Sequence, residues 1–287
     1  DYSKIINNYL TKDGEVMPNH RSTGYIKVIV TVTFLLMIIV NALANILPIN
    51  NLNTGQVSEF YPSLFTPAAL TFSIWGLIYI LLAGYTLYQL GFFHNHKSRL
   101  DEKLFAKIGI YFSISSIANV LWIFAWHYLF ISLSMILMII ILICLIMIVQ
   151  LLNQEEYTIR EIILVKIPFS IYFAWITVAT IANFVALLVG LGWNGIGASA
   201  VIWTIIFIII GFCIGVIATF KNRDIAYGLV IIWAYTGILI KHISANGFAG
   251  QYPSIISTVI ISIALLLIME GYLIITSLKR SSNPSNR

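Results

Sequence analysis

The sequence predicts an all-α integral membrane protein with about eight transmembrane helices. Charged residues make up only 9% of the 287-residue chain and hydrophobic residues 60%, whereas a soluble domain carries roughly a quarter charged residues. The apolar runs reach about 20 residues, which suits a spanning helix and exceeds a barrel strand. The Lys and Arg residues cluster in alternate connections, as the positive-inside rule requires.

Eight apolar runs give the predicted helices. A polar tail, residues 1–25, precedes the first run, which lacks the cleavage pattern of a signal peptide. The connections between the third and fourth and between the fifth and sixth helices are short, so these pairs are expected to be antiparallel neighbours. The predicted helices span residues 26–47, 67–90, 104–128, 130–152, 160–189, 197–219, 226–243 and 254–278.

The basic residues predict the orientation. All of the 16 Lys and Arg residues except Lys241 fall on one side of this arrangement. The positive-inside rule therefore predicts a multi-pass protein of the cell membrane with both termini cytoplasmic. The residues on the cytoplasmic side are Lys4, Lys12, Arg21, Lys27, Lys97, Arg99, Lys103, Lys107, Arg160, Lys166, Lys221, Arg223, Lys279, Arg280 and Arg287.

Several functional classes lack support in the sequence. Cys144 and Cys213 both lie in apolar runs, which excludes a disulfide framework and a Cys-based metal site. His94 and His96 share a predicted inner loop without Cys or carboxylate neighbours, so no metal site is expected. The net charge of +5 reflects topology, and no nucleic-acid partner is expected. No catalytic set is evident, so an enzyme is the least supported function.

The longest predicted outer connection, residues 48–66, carries one charge, Glu59. Aromatic residues near the predicted outer helix ends are interpreted as a belt at the membrane interface. They are Trp126, His127, Tyr128, Trp193 and Tyr252.

Three patches of aromatic and polar residues share one predicted depth, beneath that outer connection. In the fifth helix, Trp175, Ala179 and Asn183 are spaced i, i+4, i+8 and share one face. An Asn in hydrocarbon is costly unless it is hydrogen-bonded, so this face is expected to point into the protein. In the second helix, Trp75 lies eight residues beyond Pro67, roughly 12 Å of rise.

Together the patches predict a cavity with aromatic walls, a few amides and the loop as its lid. The alternative is that these residues only lock helices together. In the third helix the patch is Asn119, Trp122 and Trp126.

These patches resemble those of the TspO/MBR family, the translocator proteins or tryptophan-rich sensory proteins. The family carries Pro and then Trp-Gly-x-x-Tyr in its second helix, Asn-x-x-Trp and an aromatic in its third, and Trp-x-x-x-Ala-Thr-x-x-Asn-aromatic in its fifth. The matching residues are Pro67, Trp75, Gly76 and Tyr79; Asn119, Trp122 and Trp126; and Trp175, Ala179, Thr180, Asn183 and Phe184.

The chain also departs from the family pattern. Ala69 and Ser73 replace a common Trp and Pro, and Ile171 replaces the Pro before the fifth-helix Trp, with Pro168 one turn earlier. The sterol-recognition pattern is absent from residues 185–194. The resemblance covers residues 26–190 as a five-helix unit, which leaves 191–278 as a three-helix extension and 279–287 as a cytoplasmic tail.

The resemblance implies a receptor or sensor that binds a porphyrin-like or other flat hydrophobic ligand, such as a tetrapyrrole, and needs no cofactor. It implies a homodimer in the lipid bilayer. Two alternatives are a transporter of a small hydrophobic molecule and a docking partner for another protein or peptide. The implied ligand-binding residues are Trp75, Tyr79, Asn119, Trp122, Trp175, Ala179 and Asn183.

Two ionisable residues lie inside predicted helices. Lys166 lies in the fifth helix and Glu270 in the eighth, both in the inner half. They are expected to form an ion pair that docks the extension onto the five-helix unit. The alternative for Lys166 is snorkelling to the membrane interface.

Overall fold

The computed structural model of the chain is a bundle of eight long helices and describes residues 20–47, 49–52, 54–93, 100–193 and 199–282. Eight helices in this part are long and apolar enough to cross a membrane, so the predicted fold class and helix count are confirmed. They are α1 (His20–Ile46), α2 (Ile74–Leu90), α3 (Glu102–His127), α4 (Ile131–Leu152), α5 (Ile159–Gly190), α6 (Ala200–Asn222), α7 (Ile225–Ile243) and α8 (Pro253–Ser282).

The predicted helix boundaries agree with the structure to within a few residues, except at the first helix, which begins at His20 rather than at residue 26, and at the second helix. There a 3-10 turn, Ala69–Ser73, precedes α2, because Ala68 is extended and its N–H donates to Gly237 O of α7 at 3.0 Å. Some residues used in the sequence analysis lie outside the described residues: those at 1–19 and 283–287, His94, His96, Lys97 and Arg99.

Local sequence signals set several helix starts. The Asp101 side chain accepts a hydrogen bond from Leu104 N–H at 2.6 Å and so caps α3. At the start of α5, Thr158 and Glu161 form a capping box, in which each side chain bonds the backbone N–H of the other. Short oxygen-bearing side chains in this position satisfy the unpaired N–H groups of a first helical turn.

A π-helical turn, Ile162–Lys166, interrupts α5 near its start. Pro168 has no N–H and cannot close the ordinary bond to the carbonyl four residues earlier. Ile167 N–H donates instead to Ile162 O, the spacing of a π turn. The irregularity therefore falls near residue 168, and the segment Ile167–Gly190 is a continuous α-helix.

The helices pack as one bundle. Helix α3 packs against α1 and α4, α5 packs against α2, α4 and α7, and α7 also packs against α6 and α8. We call the end of the bundle that carries Lys103, Arg160 and Lys221 the basic end and the opposite end the lid end. The described residues between 49 and 66 lie at the lid end and are called the lid.

Candidate functional site

The three aromatic patches meet in a cavity at the lid end, here called the tryptophan pocket. Its volume is about 60 Å³. Four tryptophans from three helices line it: Trp75 of α2, Trp122 and Trp126 of α3, and Trp175 of α5. The lining also includes Ala179 and Asn183 of α5 and Thr54, Ser58 and Tyr61 of the lid.

Trp75 is the centre of the aromatic wall. Its ring stacks on Tyr79, with centroids 5.5 Å apart and an interplanar angle of 22°. It meets the edge of Trp175 at 6.2 Å and of Tyr172 at 6.1 Å, and Trp122 lies 6.5 Å away. Stacked and edge-to-face rings at these separations attract one another. The second, third and fifth helices therefore join at this residue.

Tyr79, Asn119 and Tyr172 do not line the pocket but lie just below its lining residues, and they are here called the floor. Each lies three or four residues from a pocket tryptophan on the same helix, about one turn closer to the basic end. Asn119 Oδ1 accepts a hydrogen bond from Asn41 Nδ2 at 2.7 Å. Two buried donors have no hydrogen-bond partner among the described residues, Trp175 Nε1 and the hydroxyl of Tyr79. Asn119 Nδ2 and the hydroxyl of Tyr172 lie close enough to each other for at most a weak mutual hydrogen bond.

These four atoms have one chemical property in common. An indole N–H and a carboxamide N–H only donate, and a phenol can donate. Leaving a buried donor unpaired costs roughly 1–3 kcal/mol. The floor is therefore suited to a ligand that brings a hydrogen-bond acceptor into the pocket.

Asn183 lines the pocket, and its amide also bridges three helices. Its Oδ1 accepts from Trp122 Nε1 of α3 at 2.9 Å, and its Nδ2 donates to Ser134 Oγ of α4 at 3.0 Å. Both ends of the amide are thus engaged within the protein. Asn183 positions the pocket wall, and the neighbouring Ala179 keeps that wall free of a long side chain.

We expect Asn183→Leu to lower the free energy of unfolding by about 1 kcal/mol. The change leaves Trp122 Nε1 without its acceptor, and interhelical hydrogen bonds in membranes are each worth roughly 0.6 kcal/mol on average. Unfolding in mixed micelles of a mild and a denaturing detergent measures this. Asn45→Leu is the matched control, because Asn45 is exposed and, among the described residues, its side chain donates to Asn41 O within α1. Equal losses in the two variants would contradict the bridge.

One side of the lid is held by the end of α3. The imidazole of His127 is fully buried. Its Nδ1–H donates to Ile49 O and its Nε2 accepts from Thr54 Oγ1, both at 3.2 Å, because a carbonyl can only accept. Trp126 Nε1 donates to Thr54 O at 3.1 Å. The interpretation of Trp126 and His127 as interface aromatics is therefore wrong: both are buried and hold the lid.

The other side of the lid is held by α7. His242 is fully buried, and its Nε2–H donates to Leu64 O at 2.9 Å. Below it, Trp233 Nε1 donates to Thr71 O at 3.0 Å. Gly237 lies against Thr71 so closely that a Cβ at Gly237 would overlap the Thr71 hydroxyl. Helix α7 thus supports the lid and the entry into α2.

The structure does not form the expected Lys166–Glu270 ion pair. Lys166 Nζ lies 5.6 Å from the centroid of the Tyr157 ring. Burial and the charges of Glu155 and Glu161 raise the pKa of Tyr157 well above its usual value, which keeps the ring neutral under the cation. Both carboxylate oxygens of Glu270 are buried without a hydrogen-bond partner among the described residues. The reason is that α8 packs on α6 and α7, while Lys166 faces the α4–α5 connection.

Sequence reasoning missed two residues of the site. Asn41 of α1 supports Asn119 from below, and its signal was an amide within an otherwise apolar helix. Tyr172 lies one turn before Trp175 on the same face of α5, a spacing that the motif did not include.

The comparisons with known proteins come from a family model and two searches. The model described as TSPO-like protein matches residues 27–272, which is most of the chain and includes α6, α7 and most of α8. Neither the curated proteins nor the solved structures gave a match. The matched region contains every residue of the tryptophan pocket and every helix that supports its lid. The chain is therefore a member of the TSPO-like protein family, a multi-pass membrane protein with eight spanning helices in its described part.

Proposed function

We propose that this protein is a membrane receptor or sensor for a flat hydrophobic ligand, porphyrin-like in shape, that carries a hydrogen-bond acceptor at one edge. The observation that carries the proposal is the floor of the tryptophan pocket. The unpaired Nε1 of Trp175 lies in a wall of indole rings, and the side chains of Asn119 and Tyr172, which share at most a weak hydrogen bond, lie one turn below it. Indole faces stack on a flat aromatic body, and buried donors fix the orientation of its polar edge.

Binding requires the lid to move. The pocket of about 60 Å³ is smaller than the roughly 300–1,000 Å³ of ordinary ligand sites. The lid covers it through a few hydrogen bonds to the ends of α3 and α7, made chiefly by Trp126, His127 and His242. Opening the pocket requires these bonds to break and the buried lid side chains Val57 and Phe65 to leave the core. By the positive-inside rule, the opening faces the outside of the cell.

The packing below the floor favours binding over passage through the bundle. Tyr85, Phe112 and Phe169 are fully buried there, with ring centroids 4.6 to 5.5 Å apart. They lie between the pocket and the basic end and fill the space among α2, α3 and α5. A transporter would need this cluster to separate in every cycle, so a receptor is the simpler function.

Titration of the purified protein with protoporphyrin, followed by quenching of tryptophan fluorescence, tests the proposal. We expect saturable quenching in the wild type. Asn119→Ala removes a floor donor, and Trp175→Phe removes another donor and part of a stacking surface. Each change should weaken the fitted affinity by about tenfold, because a hydrogen bond or a ring contact of this kind is worth roughly 1–1.5 kcal/mol.

Trp203→Phe is the matched control. Trp203 lies in a separate cavity between the lid, α5 and α6, outside the tryptophan pocket, so its replacement should leave the affinity unchanged. Non-saturable quenching that is the same in all four proteins would overturn the proposal. The function would then be sought among membrane or extracellular protein partners.

A further inference from the structure

A second buried polar site lies at the basic end, far from the tryptophan pocket. Glu270 of α8 is 3% exposed, and neither carboxylate oxygen has a hydrogen-bond partner among the described residues. The carboxylate lies against the first turn of α7, where a Cβ at Gly228 would approach Glu270 Cδ to 2.9 Å and Thr219 Cγ2 to 3.1 Å. Gly228 thus leaves the space that the carboxylate occupies.

A second unpaired oxygen lies at the same place. Thr219 of α6 is fully buried, and its Oγ1 also has no partner among the described residues. The buried carboxylate of Asp224 lies at the N-cap of α7, one turn before Gly228. One oxygen of Asp224 accepts from Tyr227 N–H at 3.2 Å and caps α7. A carboxylate of α8 and a hydroxyl-bearing side chain of α6 therefore meet at Gly228, one turn from a second buried carboxylate.

No basic side chain on the neighbouring helices offsets this charge. Helix α8 packs on α6 and α7. The basic residues closest in those two helices and their connection are Lys221 and Arg223, and both are exposed. The hydroxyl of Tyr227 donates to Thr177 Oγ1 at 3.0 Å and is engaged. On α8 itself, the next charged residue is Lys279, roughly 14 Å of helix rise away.

A lone carboxylate in such surroundings needs a positive charge. An unpaired ionised carboxylate costs many kcal/mol in an apolar medium, so the group is neutralised by a proton or a bound cation. Oxygen-only ligands suit hard cations and do not suit zinc or copper, which prefer nitrogen and sulfur. The site lies at the first turn of α7 and therefore near the membrane surface, so a proton or cation has only a short distance to travel between the site and water.

We propose that Glu270, with Thr219 and Asp224, is a binding site for one exchangeable positive charge, either a proton or a sodium-sized monovalent cation. The site lies at the opposite end of the bundle from the tryptophan pocket. Helix α7 nevertheless contacts both, since Gly228 meets Glu270 at one end and His242 holds the lid at the other.

Infrared difference spectroscopy of the full chain in lipid tests the proposal, because a protonated carboxylic acid has its own C=O stretching band. In sodium-free buffer near neutral pH, we expect a band in the wild type that is absent from Glu270→Gln. Raising the pH from about 5 to about 9, across the range in which carboxyl groups of buried sites release protons, should remove it. Glu59→Gln, at an exposed carboxylate of the lid, is the matched control and should keep the band.

Sodium distinguishes the two occupants. If sodium binds, adding sodium chloride at constant pH removes the band while choline chloride does not, and Thr219→Val weakens this effect several-fold. If only a proton binds, sodium has no effect, and Asp224→Asn moves the loss of the band to lower pH because a repelling charge is gone. A wild type without the band at any pH, or a band that neither pH nor sodium changes, would overturn the proposal.

Discussion

Gly237→Ala is expected to cause one of the largest losses of stability of any single methyl addition in the described part of the chain. The new Cβ would overlap Thr71 Oγ1 and lie 2.7 and 2.8 Å from Thr71 Cγ2 and Cβ. Rotating the Thr71 side chain does not clear its own Cβ, so the 3-10 turn before α2 has to shift. Such overpacking costs about 1–3 kcal/mol. Thermal or detergent unfolding of the purified protein measures the loss.

A second substitution at Thr71 and a control substitution at Gly76 test the cause of this loss. Thr71→Gly removes the atoms that clash, so adding it to Gly237→Ala should restore part of the lost stability. Gly76→Ala is the matched control, because a Cβ at Gly76 meets nothing within 4 Å. A Gly237→Ala protein as stable as the Gly76→Ala protein would show that α7 does not hold the segment before α2 closely.

Trp75→Ala is expected to cause the largest loss of protoporphyrin affinity, about a hundredfold or more. Its ring contacts four aromatic neighbours and is half-buried on the pocket wall. A large aromatic side chain supplies roughly 150–250 Å² of contact surface, and each tenfold in affinity corresponds to about 1.4 kcal/mol. Isothermal titration with protoporphyrin measures the change.

Trp75→Phe serves as the graded variant, because it keeps a flat ring and should lose about tenfold. Trp203→Ala removes a tryptophan of the same size outside the pocket and should bind as the wild type does. Equal affinities of Trp75→Ala and Trp203→Ala for protoporphyrin would remove Trp75 from the binding surface.

The fold could be predicted because each spanning helix corresponds to one apolar run in the sequence. Hydropathy over a window of membrane thickness and the alternation of basic residues are properties of one segment at a time. The second helix is an exception, because its start is determined by contacts with a helix distant in the sequence. Pro67 and the residues after it read as the start of a helix, but Ala68 and Thr71 instead bond to Gly237 and Trp233 of α7.

Spacing within helices also predicted which aromatic patches share a depth, and the structure brings Trp75, Trp122 and Trp175 together. Depth alone does not give the direction that a helix face points. Lys166 and Glu270 were predicted to pair because they lie in the same half of the membrane. The rotation of α8 about its own axis instead directs Glu270 toward Gly228. The residue pattern within α8 does not predict which neighbouring helix this face contacts.

The lid contacts could not be predicted for a related reason. His127 and His242 lie at helix ends, where aromatic residues commonly face the interface. The two histidines are buried because the lid folds over them. The position of the lid depends on individual hydrogen bonds from these histidines to Ile49 O and Leu64 O, which no sequence pattern predicts.

A structure of the protein with protoporphyrin bound tests the central claim most directly. We expect the ligand to lie against Trp75 and Trp175, with an acceptor at its edge within hydrogen-bond distance of Asn119 Nδ2, and the lid to be displaced from its bonds to His127 and His242. A ligand seated elsewhere, with Trp175 Nε1 still unpaired and the lid unchanged, would contradict this claim.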